Sequence, residues 1–167
     1  DFFSLHMKQI SINTTISVLS KDELSQEETS LMSQAFEARS KAYAPYSKFT
    51  VGAALLLDNG VVVKGSNQEN AAYPSGLCAE RVAVFAAGSH YPGVKIKAIA
   101  ITAMFNDSHE PLSVSPCGDC RQVMAEYEHR YGANIRLIIT AGNGKVMIIP
   151  NTKTLLPLMF NAENLKK

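Results

Sequence analysis

The chain has 167 residues, a mass of 18.1 kDa and a formal net charge of +1; 46% of its residues are hydrophobic and 19% are charged. This length fits one domain, and this composition excludes disordered, collagen-like and coiled-coil chains. The near-zero charge removes the long-range field that draws a protein to nucleic acid or to an anionic membrane. We therefore expect a small or neutral ligand, with no nucleic-acid or membrane partner.

The N-terminal residues lack the basic region and apolar block of a secretion signal, and no window approaches the roughly 18 apolar residues that cross a bilayer. A cytoplasmic protein is expected. Because natural chains normally start with Met, Met7 is the expected start, and residues 1–6 are treated as an added segment. We divide the chain into an N-terminal extension, residues 1–19, and a single domain, residues 20–167.

The first predicted helix begins after two capping-box patterns, Ser20 with Glu23 and Ser25 with Glu28. Apolar residues at helical spacing carry it to about Tyr43, and Pro45 ends it. Two apolar runs, 49–57 and 61–65, flank an Asp-Asn-Gly turn and predict an antiparallel hairpin.

The second half of the chain alternates helices with strands. A loop at 67–77 precedes a helix over 78–87, which Gly88 is expected to end. A later helix is expected to have Pro116 in its first turn and to run to about Tyr131, before Gly132. The remaining predicted segments are a strand at 96–103, a loop at 106–115, strands at 135–140 and 146–149, and a short helical segment at 152–156. This pattern predicts an α/β layered fold, and the hairpin makes its sheet mixed.

Three cysteines provide the first chemical signal, because an odd count in a cytosolic chain favours metal binding or catalysis over disulfides. Cys117 and Cys120 lie one helical turn apart at a predicted helix start, and Cys78 opens another helix. The positive end of a helix dipole favours thiolates, and three thiolates leave one of the four zinc positions open, as in catalytic sites. The alternative is an inert buried Cys78 beside a redox pair or a chance C-x-x-C.

Glu80 follows Cys78 by two positions, so the two side chains diverge on a helix and Glu80 does not easily join the ligand set. It can still flank a water on the metal and carry protons. The alternative interpretation is an ordinary solvated surface carboxylate.

Two segments together resemble a known zinc signature: Cys78-Ala-Glu-Arg81 and Pro116-Cys-Gly-Asp-Cys-Arg-Gln122. The chain resembles the cytidine deaminase family, specifically its small homotetrameric branch. Further matches at 46–54, 65–71 and 155–160 extend the resemblance over roughly residues 24–165. The first ligand is Cys where nucleic-acid editing deaminases usually carry His, so the chain is more similar to the branch that acts on free nucleosides.

The resemblance implies a three-layer α-β-α sandwich around a mixed, roughly five-stranded sheet. It also implies one zinc ion per subunit held by Cys78, Cys117 and Cys120, with Glu80 as the catalytic proton shuttle. Because three thiolates on Zn²⁺ leave a net charge of −1, the guanidinium of Arg81 is expected to hydrogen-bond the sulfurs and offset that charge.

Four side chains are candidates for contact with a nucleoside. Asn67 and Glu69 look like an amide and an acceptor that would be left unpaired without a ribose hydroxyl. Phe49 is expected to stack on the pyrimidine, and Tyr73 to supply another contact. Simple core packing is the alternative for both aromatic residues.

The resemblance implies three more contacts. The backbone of Ala79 is expected to bind the carbonyl of the base. The carbonyl of Ser115 is expected to accept a hydrogen bond from the amino group of the base. Phe160 is expected to reach into the pocket of a neighbouring subunit, so that the active sites are shared within a homotetramer.

The function predicted from the sequence is hydrolytic deamination of cytidine and 2′-deoxycytidine to uridine and 2′-deoxyuridine, with release of ammonia, in pyrimidine salvage. Three alternatives remain: a deaminase of another cytosine nucleoside such as blasticidin S, a non-catalytic zinc-stabilised binding module, and a nucleic-acid editor. The lysines are too few and scattered for the basic stripe that an editor needs. The segment 106–113 is somewhat long for this branch and leaves the substrate range open.

Overall fold

A computed structural model describes residues 8–166 of the chain. Its six strands are β1 Ser17–Ser20, β2 Phe49–Leu57, β3 Val62–Ser66, β4 Ile96–Phe105, β5 Arg136–Thr140 and β6 Lys145–Ile149. They form one sheet in the order β1-β6-β5-β4-β2-β3, and only the β4–β5 pair is parallel. The mixed sheet and the hairpin of β2 and β3 are confirmed.

Three α-helices cover the two faces of this sheet: α1 Gln26–Arg39, α2 Ala79–His90 and α3 Gly118–Tyr131. Alternate strand residues point to opposite faces, so the sheet has two apolar sides. On one side Ala54, Ala100 and Ile138 pack with α1; on the other, Leu55 and Ile101 pack with α2 and α3. The predicted three-layer α-β-α sandwich is confirmed.

The sheet has six strands among the described residues, rather than the roughly five that we expected. The additional strand, β1, lies at the sheet edge and pairs antiparallel with β6, where Ser17 faces Ile148 and Ser20 faces Lys145. Its four residues, Ser-Val-Leu-Ser, are too few and too exposed to show a strand pattern in the sequence. Pairing with β6 decides their conformation.

Helix α1 ends at Arg39, four residues before the predicted end at Tyr43. The chain leaves the helix because Tyr43 forms backbone hydrogen bonds outside it: its N–H donates to the Asn67 carbonyl at 3.0 Å, and its carbonyl accepts from Glu69 N–H at 2.9 Å. These long-range bonds replace the helical ones. They also attach the end of α1 to the loop that follows β3.

Two further expected helix boundaries were wrong. Gly88 does not stop α2, which continues to His90; a Cβ at Gly88 would lie 2.2 Å from the Tyr127 hydroxyl, so glycine lets α2 approach α3. Pro116 precedes the first turn of α3, because Cys117 is the N-cap and the helix begins at Gly118. The end of α3 at Gly132 is confirmed.

The other predicted segments occur with small boundary shifts, and the last one is a short 3-10 helix, Thr152–Thr154. Further 3-10 turns lie at Lys21–Glu23, Tyr73–Ser75 and Ala162–Leu165. Within residues 8–166, none of the helices combines the length and the hydropathy that a bilayer crossing requires.

Candidate metal centre and active-site pocket

The three cysteine thiols meet where the first turns of α2 and α3 come together. Cys78 is the N-cap of α2, Cys117 is the N-cap of α3, and Cys120 lies one turn further into α3. The Cys78 and Cys117 sulfurs are 3.7 Å apart, those of Cys117 and Cys120 are 3.5 Å apart, and all three lie within 4.8 Å of one another. Neither N-cap thiol caps its own helix, so both point to the cluster.

This donor set fits a zinc ion. Sulfurs about 2.3 Å from a tetrahedral zinc are separated by roughly 3.8 Å, close to the two shorter sulfur separations in the cluster. Thiolates are the soft ligands that select zinc among the abundant divalent ions. Three protein ligands leave one position for a further ligand, as in catalytic rather than structural sites. The described residues place no fourth Cys, His, Asp or Glu ligand within this group.

The electrostatics of the cluster favour a thiolate at Cys78. A hydrogen bond from Cys120, together with Arg81 and Cys117, lowers the pKa of Cys78 to about 5, against the opposing effect of burial. The same bond to Cys78, together with burial, raises the pKa of Cys120. Arg81 Nη2 lies 4.0 Å from the Cys78 sulfur, and Arg81 Nη1 lies 3.8 Å from the Asp119 carboxylate. Arg81 therefore links the first turns of both helices beside the thiols.

Glu80 lies in the first turn of α2 and is almost fully buried, with 5% of its surface exposed. Burial, reinforced by the charge of Cys78, raises the pKa of Glu80 to about 6. Glu80 lines the same cavity as Cys78 and Cys117. A carboxyl with such a pKa exchanges protons readily near neutral pH, as a proton carrier must.

A cavity of about 700 Å³ opens beside the thiols. Its apolar lining comes mainly from central strands and from the segment before α3, and includes Phe49, Val51, Ile101, Ala103 and Val114. Besides Cys78, Glu80, Arg81 and Cys117, its polar lining comes from loops and includes Ser47, Asn67, Gln68, Glu69, Asn70 and Ser115. An apolar pocket with a few convergent polar groups is typical of a small-molecule site.

The predicted aromatic contacts both lie at this cavity. The Phe49 ring is partly buried and meets the edge of Phe105 at a centroid distance of 5.0 Å, so packing fixes its orientation. Tyr73 is 75% exposed and pairs with Tyr46 across 6.0 Å. Tyr73 therefore lies on the rim rather than in the protein core.

Asn67 and Glu69 line the cavity from the loop after β3; Asn67 is attached to the start of β2, and Glu69 to the turn that precedes it. Asn67 donates from Nδ2 to the Phe49 carbonyl at 2.9 Å and accepts at Oδ1 from Val51 N–H at 2.8 Å. Glu69 accepts at Oε2 from the N–H groups of Tyr46 and Ser47, and at Oε1 from the Ser47 hydroxyl. Both side chains are therefore held in place without a ligand.

Three of the predicted site residues do not line the cavity. Cys120 is fully buried, and Ala79 is a fully buried residue in the first turn of α2. Phe160 is 58% exposed, and its carbonyl accepts a 2.8 Å hydrogen bond from the Gln122 side chain. Its ring is absent from the cavity lining formed by the described residues.

Comparison with known proteins agrees with this geometry. Residues 25–131 match the family model described as the cytidine and deoxycytidylate deaminase zinc-binding region. This match covers more than half of the chain and includes all three cysteines. The chain belongs to the cytidine deaminase family.

Curated cytidine deaminases from Halalkalibacterium halodurans and Sporosarcina psychrophila are each 43% identical over 136 residues, which is 81% of this chain and 95% and 92% of theirs. Among solved structures, the cytidine deaminase from Burkholderia pseudomallei is 40% identical with a TM-score of 0.67, and covers 82% of this chain and 100% of its own. The Mycobacterium tuberculosis cytidine deaminase is 36% identical with a TM-score of 0.60, over 78% and 94% of the two chains.

Several residues that line the cavity of this cytidine deaminase family member were not among the predicted site residues. The sequence has no feature that marks Ile101, Ala103 and Val114 as pocket residues. An apolar residue in an apolar segment is predicted to be buried in the core whether or not a pocket lies beside it. Ser47 did have a signal, since it lies in the segment 46–54 that carries the family resemblance. Its bond to Glu69 depends on the fold and could not be predicted from the sequence.

Proposed function

We propose that this chain catalyses the hydrolytic deamination of cytidine and 2′-deoxycytidine to uridine and 2′-deoxyuridine. Water adds its oxygen to C4 of the pyrimidine, the bond from C4 to the amino group breaks, and ammonia leaves. The observation that carries the proposal is the junction of three thiols and a buried carboxyl, Glu80, at one end of a cavity of about 700 Å³.

Cys78, Cys117 and Cys120 would hold one zinc ion per subunit. Zinc bound by three protein ligands acts as a Lewis acid and lowers the pKa of a coordinated water towards 7. Arg81 supports the thiolates, because its positive charge beside Cys78 compensates the net charge of −1 that three thiolates and Zn²⁺ carry.

Glu80 is proposed as the proton carrier of the reaction. With a pKa of about 6, its carboxylate accepts one proton of the attacking water and delivers it to ring N3. It then takes the second proton from the new C4 hydroxyl and passes it to the departing amino group, so that ammonia leaves and the C4 carbonyl forms. The burial of Glu80 supports this role, because bulk water that is kept away from the carboxyl cannot compete for the proton.

The remaining cavity residues are proposed to select the nucleoside. Phe49 would stack on the pyrimidine and Tyr73 would contact it from the rim, while Asn67 and Glu69 would bind the sugar. The backbone of Ala79 would bind the base carbonyl, since N–H groups in the first turn of a helix lack intrahelical partners. The Ser115 carbonyl would accept a hydrogen bond from the amino group of the base.

The chain is further proposed to act as a homotetramer in cytoplasmic pyrimidine salvage. Phe160, which is exposed and does not reach its own pocket, would then enter the pocket of a neighbouring subunit. The single domain proposed for residues 20–167 would be the catalytic unit of this assembly.

A substrate panel tests the proposal. The zinc-loaded protein is followed by ultraviolet absorbance with cytidine, 2′-deoxycytidine, cytosine, blasticidin S and a cytosine-containing oligonucleotide. We expect turnover of the two nucleosides, with the Glu80→Gln variant as the inactive control. Preferential turnover of blasticidin S or of the oligonucleotide, or no turnover at all, would contradict the assigned substrate.

A further inference from the structure

We infer that Ser47 is a positioning residue for the substrate's sugar, because its hydroxyl fixes the Glu69 carboxylate in the pocket. The inference rests on the proposed function, in which Glu69 accepts a hydrogen bond from a sugar hydroxyl. Ser47 precedes β2, Glu69 lies in the loop after β3, and both line the same cavity.

The Glu69 carboxylate is held by three donors from one turn. Oε2 accepts from Tyr46 N–H at 3.0 Å and from Ser47 N–H at 3.2 Å, and Oε1 accepts from the Ser47 hydroxyl. A carboxylate offers about four acceptor positions. One position, on Oε1, is therefore left for a donor in the cavity, and Glu69 can bind one sugar hydroxyl in a defined direction.

The Ser47 hydroxyl does more than stabilise its own turn. It accepts from Phe49 N–H at 3.0 Å, which is an ordinary local bond for a serine in a turn. It also donates its proton to Glu69, a residue 22 positions away. Through Ser47, the two bonds together connect Phe49, which is proposed to stack on the base, with Glu69, which is proposed to bind the sugar.

Backbone geometry brings the donors together. Lys48 has a left-handed conformation with φ of 56°, which is uncommon for a residue with a side chain. The turn is held on both sides, since Lys48 N–H donates to the Ala44 carbonyl at 3.2 Å and Asn106 N–H donates to the Lys48 carbonyl at 2.9 Å. The reversal at Lys48 directs the preceding N–H groups and the Ser47 hydroxyl to the same carboxylate.

The charge of Glu69 agrees with this geometry. The hydrogen bond from the Ser47 hydroxyl lowers the pKa of Glu69, and the two backbone N–H groups and the positive charge of Lys48 lower it further. The carboxylate therefore stays ionised and acts only as an acceptor. A sugar hydroxyl is a matching donor.

The test is a double-mutant cycle on the zinc-loaded protein with cytidine as substrate. We expect Ser47→Ala to lower kcat/KM about 10- to 100-fold, mainly through a higher KM, because a charge-assisted hydrogen bond is lost. Ser47→Thr keeps the hydroxyl and should restore most of the loss. Because Ser47 acts through Glu69, Ser47→Ala/Glu69→Gln should be no worse than Glu69→Gln alone.

Ser33→Ala, at an exposed position of α1, is the matched serine control and should leave kcat/KM unchanged. Zinc content and melting temperature are measured for every variant, so that loss of the fold is recognised. Additive losses in the double variant, or a Ser47→Ala protein with the wild-type KM, would overturn the inference.

A second measurement does not depend on turnover. The Glu69 carboxylate is titrated by NMR in the wild type and in Ser47→Ala, and we expect its pKa to rise in the variant. If the wild type deaminates no cytosine nucleoside, the proposed function fails, while this titration still decides whether Ser47 positions Glu69. An unchanged Glu69 pKa would show that it does not.

Discussion

Single side chains at the first turns of α2 and α3 determine the chemistry of the candidate site. Cys78 and Cys117 occupy N-cap positions, where a serine or aspartate would normally bond the helix backbone. Their thiols instead both lie within 4.8 Å of the Cys120 thiol. Glu80 is buried beside them without being part of the sulfur cluster.

Glu80→Gln should retain zinc and the fold, and should lower kcat for cytidine by about 10²- to 10⁴-fold. The amide has nearly the same shape as the carboxyl but cannot accept and return a proton, and general acid–base catalysis contributes on that scale. Steady-state kinetics with metal analysis checks this. A variant with full zinc occupancy and near wild-type kcat would exclude the shuttle role.

Cys117→Ser should lose most of its zinc and melt at a temperature several degrees lower. A hydroxyl ligand binds zinc far more weakly than a thiolate, and metal-binding free energy contributes to folding stability. Zinc stoichiometry by atomic spectroscopy and calorimetry measure both effects. Glu80→Gln is the matched control with intact ligands, and unchanged zinc content in Cys117→Ser would remove this thiol from the ligand set.

At the scale of elements, the attachment of α1 to the sheet depends on Glu28. Its carboxylate accepts from Ser25 N–H at 3.0 Å in the capping box, and from Arg136 Nε on β5 at 2.9 Å. Burial alone would raise the pKa of Glu28, but these hydrogen bonds and the charge of Arg136 outweigh it and lower the pKa. One side chain therefore both starts the helix and holds it on the sheet.

Glu28→Gln should lower the free energy of unfolding at pH 7 by about 1 kcal/mol, because the amide can keep the capping-box bond but loses the charge that pairs with Arg136. Because the folded-state pKa is depressed, the ionised form stabilises the fold above the ordinary glutamate pKa of about 4.3. This contribution is lost as the pH falls through the lower folded-state value. Urea unfolding from pH 7 to pH 3 should therefore show the two proteins converging.

The matched control for this series is Glu126→Gln, at an exposed position of α3 where the glutamate makes no ion pair with a described residue. It should leave stability unchanged at both ends of the pH range. A wild-type advantage over Glu28→Gln that persists at pH 3 would assign the effect to packing rather than to charge.

At the scale of the whole molecule, the cavity is bordered by residues from distant parts of the chain. Phe49 comes from β2, Ile101 from β4, Cys78 from the start of α2 and Cys117 from the start of α3. Phe160 follows β6 and remains exposed on this chain. The proposed assembly gives that ring a place in the pocket of a neighbour.

Phe160→Ala should lower kcat/KM for cytidine by about 10-fold, since a buried aromatic contact between subunits would be lost.

Mixing Glu80→Gln and Phe160→Ala subunits should give more activity than the sum of the two separate samples, because some sites then combine an intact Glu80 with an intact Phe160. Light scattering gives the subunit number. A fully active monomer would contradict the shared site, and Phe36→Ala, exposed on α1, is the aromatic control.

The sequence alone determined the layered α/β class and the residues of the thiol cluster, because helix starts, turn residues and cysteine spacing are local features. Only the tertiary structure decided the edge strand β1, the end of α1 at Arg39 and the continuation of α2 past Gly88, since each depends on a partner far along the chain. The same holds for the apolar lining around Ile101 and for the bond between Ser47 and Glu69. Local chemistry is encoded by neighbours in the sequence, whereas a pocket forms only when the layers pack.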